Sequence, residues 1–332
     1  MPAPTAEADP RTLTMRVREL LRGTLHAYTP IVWLTVVVVF AASHLASPSF
    51  PSIAFARSIL ILGLFLAVVA FGQGLVMLTG GIDLSLSATV ALGAFATGYF
   101  AGLGLPTGLA VLAAVAATAI VGAVIGIVVA TTDFPAFIVT LAVGSIVSSL
   151  LLGASGSSPA EQSPDSLAKI FSGAWTFLRI PIAIWSFLAV ILLGLAVQHG
   201  TMFGRYVYAI GNSPRAAQVA GVPIRRTLVL TYVAAAISYG VAGVMLLGYG
   251  SSADLNVGLP WLLPSITVVI VGGSSMKGGS GSYVATVGGV LLLTILGADI
   301  SALGLSEGFK QALYGIIIVL ALLGGRLGRV RD

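Results

Sequence analysis

The chain has 332 residues, of which 57% are apolar and 8% are charged, and its mean hydropathy is +1.05. Because this leaves too little polar surface to cover a water-soluble globule, the composition predicts an all-α protein of the lipid bilayer. No cysteine is present, which excludes disulfides, thiol chemistry and thiolate metal sites. The three histidines, His26, His44 and His199, lie far apart without metal-ligand spacing, so we expect no metal site.

Residues 1–30 form a polar tail, and about ten apolar stretches long enough to cross a bilayer follow it. No convincing cleavage site of small residues follows the first stretch, which we interpret as a retained span rather than a secretory signal. The predicted spans lie near 31–47, 57–79, 84–103, 108–131, 134–153, 180–199, 227–250, 258–273, 282–299 and 309–325.

A glycine-rich interruption, FGQGLVMLTGGIDLS at 71–85, separates the second and third predicted spans. Such breaks often lie at functional joints of transporters, because they let a helix unwind or let backbones approach closely. Asp83 is placed to cap the helix that follows; the alternative is a direct role of its carboxylate in substrate passage. Gln73 and Thr79 either line a pathway or bond to a neighbouring helix. The pathway or helix-joint candidates here are Gln73, Thr79, Gly80, Gly81, Asp83 and Ser85.

A basic and polar island, GRYVYAIGNSPRAAQVAGVPIRR at 204–226, interrupts the apolar sequence. Ser213 is a favourable N-cap, and Pro214 suits the first helical position. Gly221 can close a helix in the left-handed conformation, and a proline two residues later cannot continue it. These signals predict a helix of about two turns, Pro214 to Ala220, which is too short to be stable in water unless a partner holds it. We interpret it as a docking surface; the alternative is a stop-transfer loop that only sets orientation. The docking candidates are Ser213, Pro214, Arg215, Ala216, Ala217, Gln218, Ala220 and Gly221.

A second glycine-rich interruption, VGGSSMKGGSGS at 271–282, supplies Gly272 and Gly273 as further joint candidates. A nucleotide phosphate loop would need glycine, four residues, Gly-Lys and then Ser or Thr. Here Lys277 precedes Gly278, and the required string does not occur in the chain. Charges fall mainly at predicted span ends, whereas ion-coupled carriers commonly use ionisable groups inside the bundle. We therefore expect no catalytic residue, no cofactor and no ATP hydrolysis by this chain, so that a partner supplies the energy.

The basic residues follow the positive-inside rule if the N-terminus is cytoplasmic and the chain crosses about ten times. We therefore expect a cytoplasmic tail at 1–30, a transmembrane domain at 31–325 and a second cytoplasmic tail at 326–332. If the chain crossed the membrane one time more or fewer, the excess of basic residues in the inside segments would disappear. The inside segments hold Arg11, Arg16, Arg18, Arg22, Arg205, Arg215, Arg225, Arg226, Lys277, Arg326, Arg329 and Arg331, and the outside segments hold Arg57, Lys169, Arg179 and Lys310.

Three segments resemble the signature regions of ribose-type permease subunits of bacterial ABC sugar importers: GQGLVMLTGGIDLS at 72–85, GRYVYAIGNSPRAAQVAGV at 204–222 and VIVGGSSMKGGSGSYVATVGGVLLLTIL at 269–296. The resemblance covers roughly residues 50–325. It implies a polytopic bundle in the bacterial cytoplasmic membrane, with a short cytoplasmic coupling helix matched here by Ser213 to Gly221. Where many relatives have Gly-Gly-Thr-Ser, this chain has Gly272-Gly-Ser-Ser-Met-Lys277.

The resemblance also implies the partners of the chain. These are a second permease subunit that forms a homodimer, two cytoplasmic ABC ATPase domains and an external sugar-binding protein that delivers a monosaccharide or related polyol. Beyond these we expect contact with membrane lipid and none with nucleic acid. Two alternatives remain open at the level of sequence: an ion-coupled secondary carrier, and a membrane channel or scaffold.

Overall fold

The computed structural model describes residues 29–156 and 161–327. The described chain is all-α apart from four two-residue strands. The α-helices, numbered here in chain order, are α1 Thr29–Ala42, α2 Ile53–Leu78, α3 Leu86–Gly102, α4 Thr107–Thr131, α5 Ala136–Ala154, α6 Asp165–Phe171, α7 Ile182–Gly200, α8 Met202–Asn212, α9 Pro214–Val219, α10 Ile224–Gly250, α11 Leu262–Val271, α12 Tyr283–Ala302 and α13 Glu307–Leu327.

Each predicted span overlaps one of these helices, and six of the helices are long and apolar enough to cross a membrane: α2, α4, α5, α7, α10 and α12. Their length and composition confirm the prediction of an all-α multi-pass membrane protein. Helices α1, α3 and α11 are apolar but shorter. The tail at 1–28 and residues 328–332 lie outside the described residues, so the predicted cytoplasmic tails stay predictions.

Helix α10 is the central element of the bundle and packs against α2, α3 and α4. Glycines permit this close packing: Gly93 of α3 lies against the backbone of Gly240, and Gly122 of α4 lies against the carbonyl of Tyr232. A side chain at either position would overlap α10, as is common where membrane helices approach closely through small residues. Tyr232 and Tyr239 are the largest fully buried side chains of α10.

The predicted span at 258–273 is only partly helical. A 3₁₀ turn at Leu259–Trp261 precedes α11, whose ten residues are about 15 Å long and so cross only about half of a hydrocarbon layer. The approach to α11 lies inside the bundle, since Trp261 makes an edge contact with Phe65 in the middle of α2 at 6.1 Å. Gly258 lies directly against the Ser87 carbonyl at the start of α3. The loop before α11 therefore re-enters the bundle instead of ending at its surface.

Two small antiparallel pairs connect the segments opposite α9. Strand β1 (Glu161–Gln162) pairs with β4 (Ser252–Ala253), and β2 (Thr176–Phe177) pairs with β3 (Ile180–Pro181). The first pair joins the connection after α5 to the end of α10, and the Ser163 N–H extends it by donating to the Ser251 carbonyl at 3.0 Å.

Candidate functional site

Helix α9 has the caps that the sequence predicts. The Ser213 hydroxyl accepts from the Ala216 N–H at 3.3 Å, and Pro214 occupies the first turn. At the other end, Gly221 is left-handed with φ of 78°, and the Val222 N–H donates to the Ala217 carbonyl at 3.0 Å. The helix ends at Val219, one residue before the predicted end. Local capping thus stabilises about one and a half turns of helix that would not persist as an isolated peptide.

The surface of α9 is polar and basic with one large apolar residue. Ala217 is buried against the protein, whereas Pro214, Arg215, Ala216, Gln218 and Ala220 are exposed. Val219 is 90% exposed, the highest value among the exposed large hydrophobic residues. Sequence reasoning missed Val219, although its position two residues after the buried Ala217 places it on the opposite side of the helix. An exposed apolar side chain beside arginine is typical of a surface that a partner covers.

Beneath α9, the end of α8 is bonded to the second glycine-rich interruption. The Asn212 Nδ2 group donates to the Gly279 carbonyl at 3.1 Å, and the Tyr208 hydroxyl donates to the Gly281 carbonyl at 2.7 Å. Burial raises the pKa of the Tyr208 phenol well above its ordinary range, so the hydroxyl stays protonated and acts as a donor.

The same place contains the end of α2, which carries the first interruption. The Gly279 N–H donates to the Leu78 carbonyl at 2.9 Å. Gly211 lies so close to the Leu78 carbonyl and the Gly279 N–H that a side chain would overlap both. We call this contact of Leu78, Tyr208, Gly211, Asn212 and residues 278–281 the junction. The three sequence motifs, which are far apart in the chain, meet here directly below α9.

A second polar cluster supports the junction from α7. The Gln198 side-chain oxygen accepts from the Tyr283 N–H at 2.8 Å, where α12 begins. The Tyr283 hydroxyl reaches across to the Ala67 carbonyl of α2 at 2.9 Å. Sequence reasoning did not single out Gln198 or Tyr283, because their hydrogen-bond partners lie far away in the sequence, where no local pattern identifies them.

Gly272 and Gly273 form the end of α11, as expected of a helix joint. Gly272 lies against the backbone of Thr286 in α12, and Gly273 is left-handed with φ of 81°. The Ser274 N–H donates to the Val269 carbonyl at 3.1 Å, which completes the helix end. The pair therefore ends α11 and lets α12 pack closely against it.

The segment at 79–85 is folded into the bundle. Thr79 donates to the Val76 carbonyl at 2.7 Å and so helps to end α2. Gly80 is left-handed with φ of 85°, and a side chain there would come within 3.1 Å of the Lys277 carbonyl. Gly81 faces the Tyr232 hydroxyl of α10. Thr140 of α5 holds the backbone at the end of the segment, since its hydroxyl accepts from the Leu84 N–H at 3.0 Å.

Asp83 does not cap α3, contrary to the expectation from sequence. Its Oδ1 atom accepts from the Ser85 N–H at 2.9 Å and from the Ser85 hydroxyl at 2.6 Å, and its side chain is 1% exposed. The N-cap of α3 is Ser85, whose side chain makes no capping hydrogen bond. The physical reason is that an Asp can bond its own backbone two residues on, and tertiary contacts with α5 favour that turn here.

Gln73 lies in the α2–α10 interface. It is fully buried, its Oε1 atom accepts from the Tyr239 hydroxyl at 3.1 Å, and its Nε2 atom has no hydrogen-bond acceptor in the described chain. Gly72 beside it lets α2 approach Ala235 and Tyr239. Of the two roles considered for Gln73, a bond to a neighbouring helix is therefore present.

No group of His, Asp and Glu side chains with the arrangement of a metal site occurs within residues 29–156 and 161–327. Helix α9 is therefore an exposed, capped helix that follows directly on the junction.

Comparisons with known proteins agree on one family. The family model described as "Branched-chain amino acid transport system / permease component" matches residues 55–322. The ribose import permease protein RbsC of Escherichia coli (strain K12) is 30% identical over 292 residues, which cover 87% of this chain and 91% of that protein. The autoinducer 2 import system permease protein LsrD of Photorhabdus luminescens is 30% identical over 269 residues, covering 78% and 79%. LsrD of Yersinia pseudotuberculosis serotype O:3 (strain YPIII) is 31% identical over 265 residues, covering 78% and 79%.

Proposed function

Since the chain belongs to the family of branched-chain amino acid transport system permease components, we propose that it is the membrane subunit of an ABC importer for a monosaccharide or related polar solute. The substrate class follows from the ribose and autoinducer 2 import named for its relatives. An external binding protein delivers the solute, and ATPase subunits that bind the cytoplasmic face supply the energy. A second copy of the chain completes the translocation pathway, and each copy crosses the inner membrane about ten times with both termini in the cytoplasm.

One observation carries the proposal: the exposed helix α9 lies directly on the junction. Asn212 is followed immediately by Ser213 and Pro214, so α9 is attached to the residue that bonds Gly279. A displacement of α9 by a bound ATPase is therefore transmitted through Asn212 and Tyr208 to the loop between α11 and α12. It reaches α2 through the bond between Leu78 and Gly279. Through this connection, a movement of α9 that follows ATPase binding is passed to the helices of the bundle over a short distance.

The charge of α9 suits the expected partner. Arg215 and Val219 are both exposed, which matches a partner surface with an apolar recess and acidic residues around it. A stop-transfer loop would need the arginines but neither the caps nor the exposed valine.

Reconstitution tests this function. The chain is placed in proteoliposomes with the ATPase and the binding protein that copurify with it, and uptake is assayed with ribose as the first probe. We expect uptake that requires ATP, the ATPase and the binding protein. Uptake driven by an ion gradient without the ATPase would instead support a secondary carrier.

Orientation is tested separately in intact cells. The chain has no cysteine, so single cysteines at the exposed Ala216 and Ser172 have no labelling background. An impermeant thiol reagent should label the cysteine at 172 from outside and the one at 216 only after the membrane is opened. Labelling of both from outside would contradict the assignment of α9 to the cytoplasm.

A further inference from the structure

An open groove of about 540 Å³ lies beside α9, where α4 ends and α10 begins. Gly126 of α4 packs against Val229 of α10, and the antiparallel register brings Ala130 opposite the start of α10. The groove is lined by Ala130, Gln218 and residues 222–226, which include Arg225 and Arg226. It is therefore positioned at the same end of the bundle as α9.

The two arginines of the groove have no acidic partner in the described chain. Arg225 and Arg226 are exposed, and the ion pair within the described residues is Lys310–Glu307. Their place in the first turn of α10 is unfavourable for the helix alone, since positive charge there opposes the helix dipole. That turn contains no acidic residue and no side-chain cap. A bound anion would offset both charges and accept from backbone N–H groups of the turn.

An apolar stripe continues from the groove along the outer side of α4. Ile120, Val124 and Ile127 are 66%, 47% and 52% exposed, and their spacing of four and three residues places them on one side of the helix. Leu230 on the adjoining part of α10 is 55% exposed. Positive charge at one end of a hydrocarbon-facing stripe matches an amphiphile with an anionic head better than a soluble anion.

We propose that this groove binds the headgroup of an anionic phospholipid, with the acyl chains along the stripe of α4. The phosphate lies between Arg225 and Arg226, as expected for basic pockets between membrane helices at the cytoplasmic side. This proposal rests on one part of the proposed function, namely the membrane topology that places the start of α10 at the cytoplasmic surface of the membrane. An acidic segment of the ATPase would also match the arginines, but it would have no use for the apolar stripe.

Native mass spectrometry of the purified chain, taken from nanodiscs of phosphatidylcholine and phosphatidylglycerol, tests the proposal. The variant R225Q/R226Q is compared with R205Q/R215Q, which removes the same charge from exposed positions of α8 and α9 outside the groove. We expect the groove variant to bind phosphatidylglycerol about 30-fold more weakly, from two arginines near the membrane surface. The control and the charge-preserving variant R225K/R226K should bind as the unaltered chain does or slightly less well.

Three results would overturn the proposal. The first is equal phosphatidylglycerol binding by the two glutamine variants. The second is full displacement of the lipid by soluble glycerol phosphate at a matching concentration, which would identify a site for free phosphate. The third is unchanged lipid binding by R225Q/R226Q together with lost ATPase assembly, which would assign the groove to the protein partner. Because the binding measurement uses the chain alone, a failed uptake assay would count against the transport function without changing its result.

Discussion

The polar interruptions at 79–85 and 213–221 each contain glycine and a serine directly before a helix, yet the structure uses them in opposite ways. In the first, Asp83 and Ser85 are buried and bonded to each other, and Thr140 holds the adjoining backbone. In the second, the caps close a helix whose outer side, including Val219, is exposed. Polar residues in a membrane chain therefore stabilise packing in one place and present a surface in another, and burial distinguishes the two uses.

The contrast predicts that a substitution lowers the stability of the protein most where the replaced residue is tightly packed, and the junction should be the most sensitive place. Gly211→Ala forces a methyl group into the backbone of Leu78 and Gly279, where neither neighbour can move without breaking the bond between them. We expect a loss of about 3 kcal/mol of unfolding free energy, together with loss of uptake.

Gly200→Ala is the matched control, because no atom beyond its chain neighbours and the adjoining backbone of its own helix lies within 4 Å of the position that its added methyl group would occupy. Thermal melting of the two purified variants compares them. Equal melting temperatures for Gly211→Ala and Gly200→Ala would show that the junction is not tightly packed.

The buried carboxylate of Asp83 should give the next largest effect. Asp83→Ala leaves the Ser85 N–H and hydroxyl without their acceptor, and we expect a loss of about 2 kcal/mol. Asp83→Asn keeps an oxygen at Oδ1 and should be much milder. The exposed Asp133, in the turn between α4 and α5, provides Asp133→Ala as the control, with little expected change.

The Asn variant separates packing from a direct role in passage. If Asp83→Asn melts normally and assembles with the ATPase, it should also transport. Loss of uptake in that protein would show that the charge itself takes part in passage or in a conformational change.

The cap of α9 should have a smaller effect because the helix is exposed. Ser213→Ala removes the acceptor for the Ala216 N–H, and we expect a loss of about 1 kcal/mol that is local to α9. Hydrogen exchange of residues 214–219 measures it. Ser213→Asp preserves a capping oxygen and should protect these amides as serine does, whereas identical exchange in all three proteins would mean that the cap does not stabilise α9.

Local signals predicted the parts of the fold that local physics determines. Apolar length located the helices, and Ser213, Pro214 and Gly221 defined α9 to within one residue at its end. The same kind of signal failed at Asp83, because Thr140, far along the chain, holds the turn that Asp83 closes. The re-entrant start of α11 and the contact of Leu78 with Gly279 likewise depend on partners that sequence periodicity does not identify. Val219 was missed because its exposure follows from the way Ala217 packs.

If α9 couples ATP hydrolysis in the partner to movement of the bundle, the ratio of hydrolysis to uptake depends on its exposed surface. Arg215→Glu reverses an exposed charge without touching a span, so membrane insertion and melting should be unchanged. Both rates are measured in proteoliposomes that contain the complete complex, with Arg205→Glu as the control for an exposed charge on α8. We predict that Arg215→Glu lowers uptake at least tenfold per ATP hydrolysed, or prevents ATPase binding, while Arg205→Glu has a weaker effect. An Arg215→Glu complex that assembles and couples like the unaltered protein would show that the exposed surface of α9 does not couple hydrolysis to uptake.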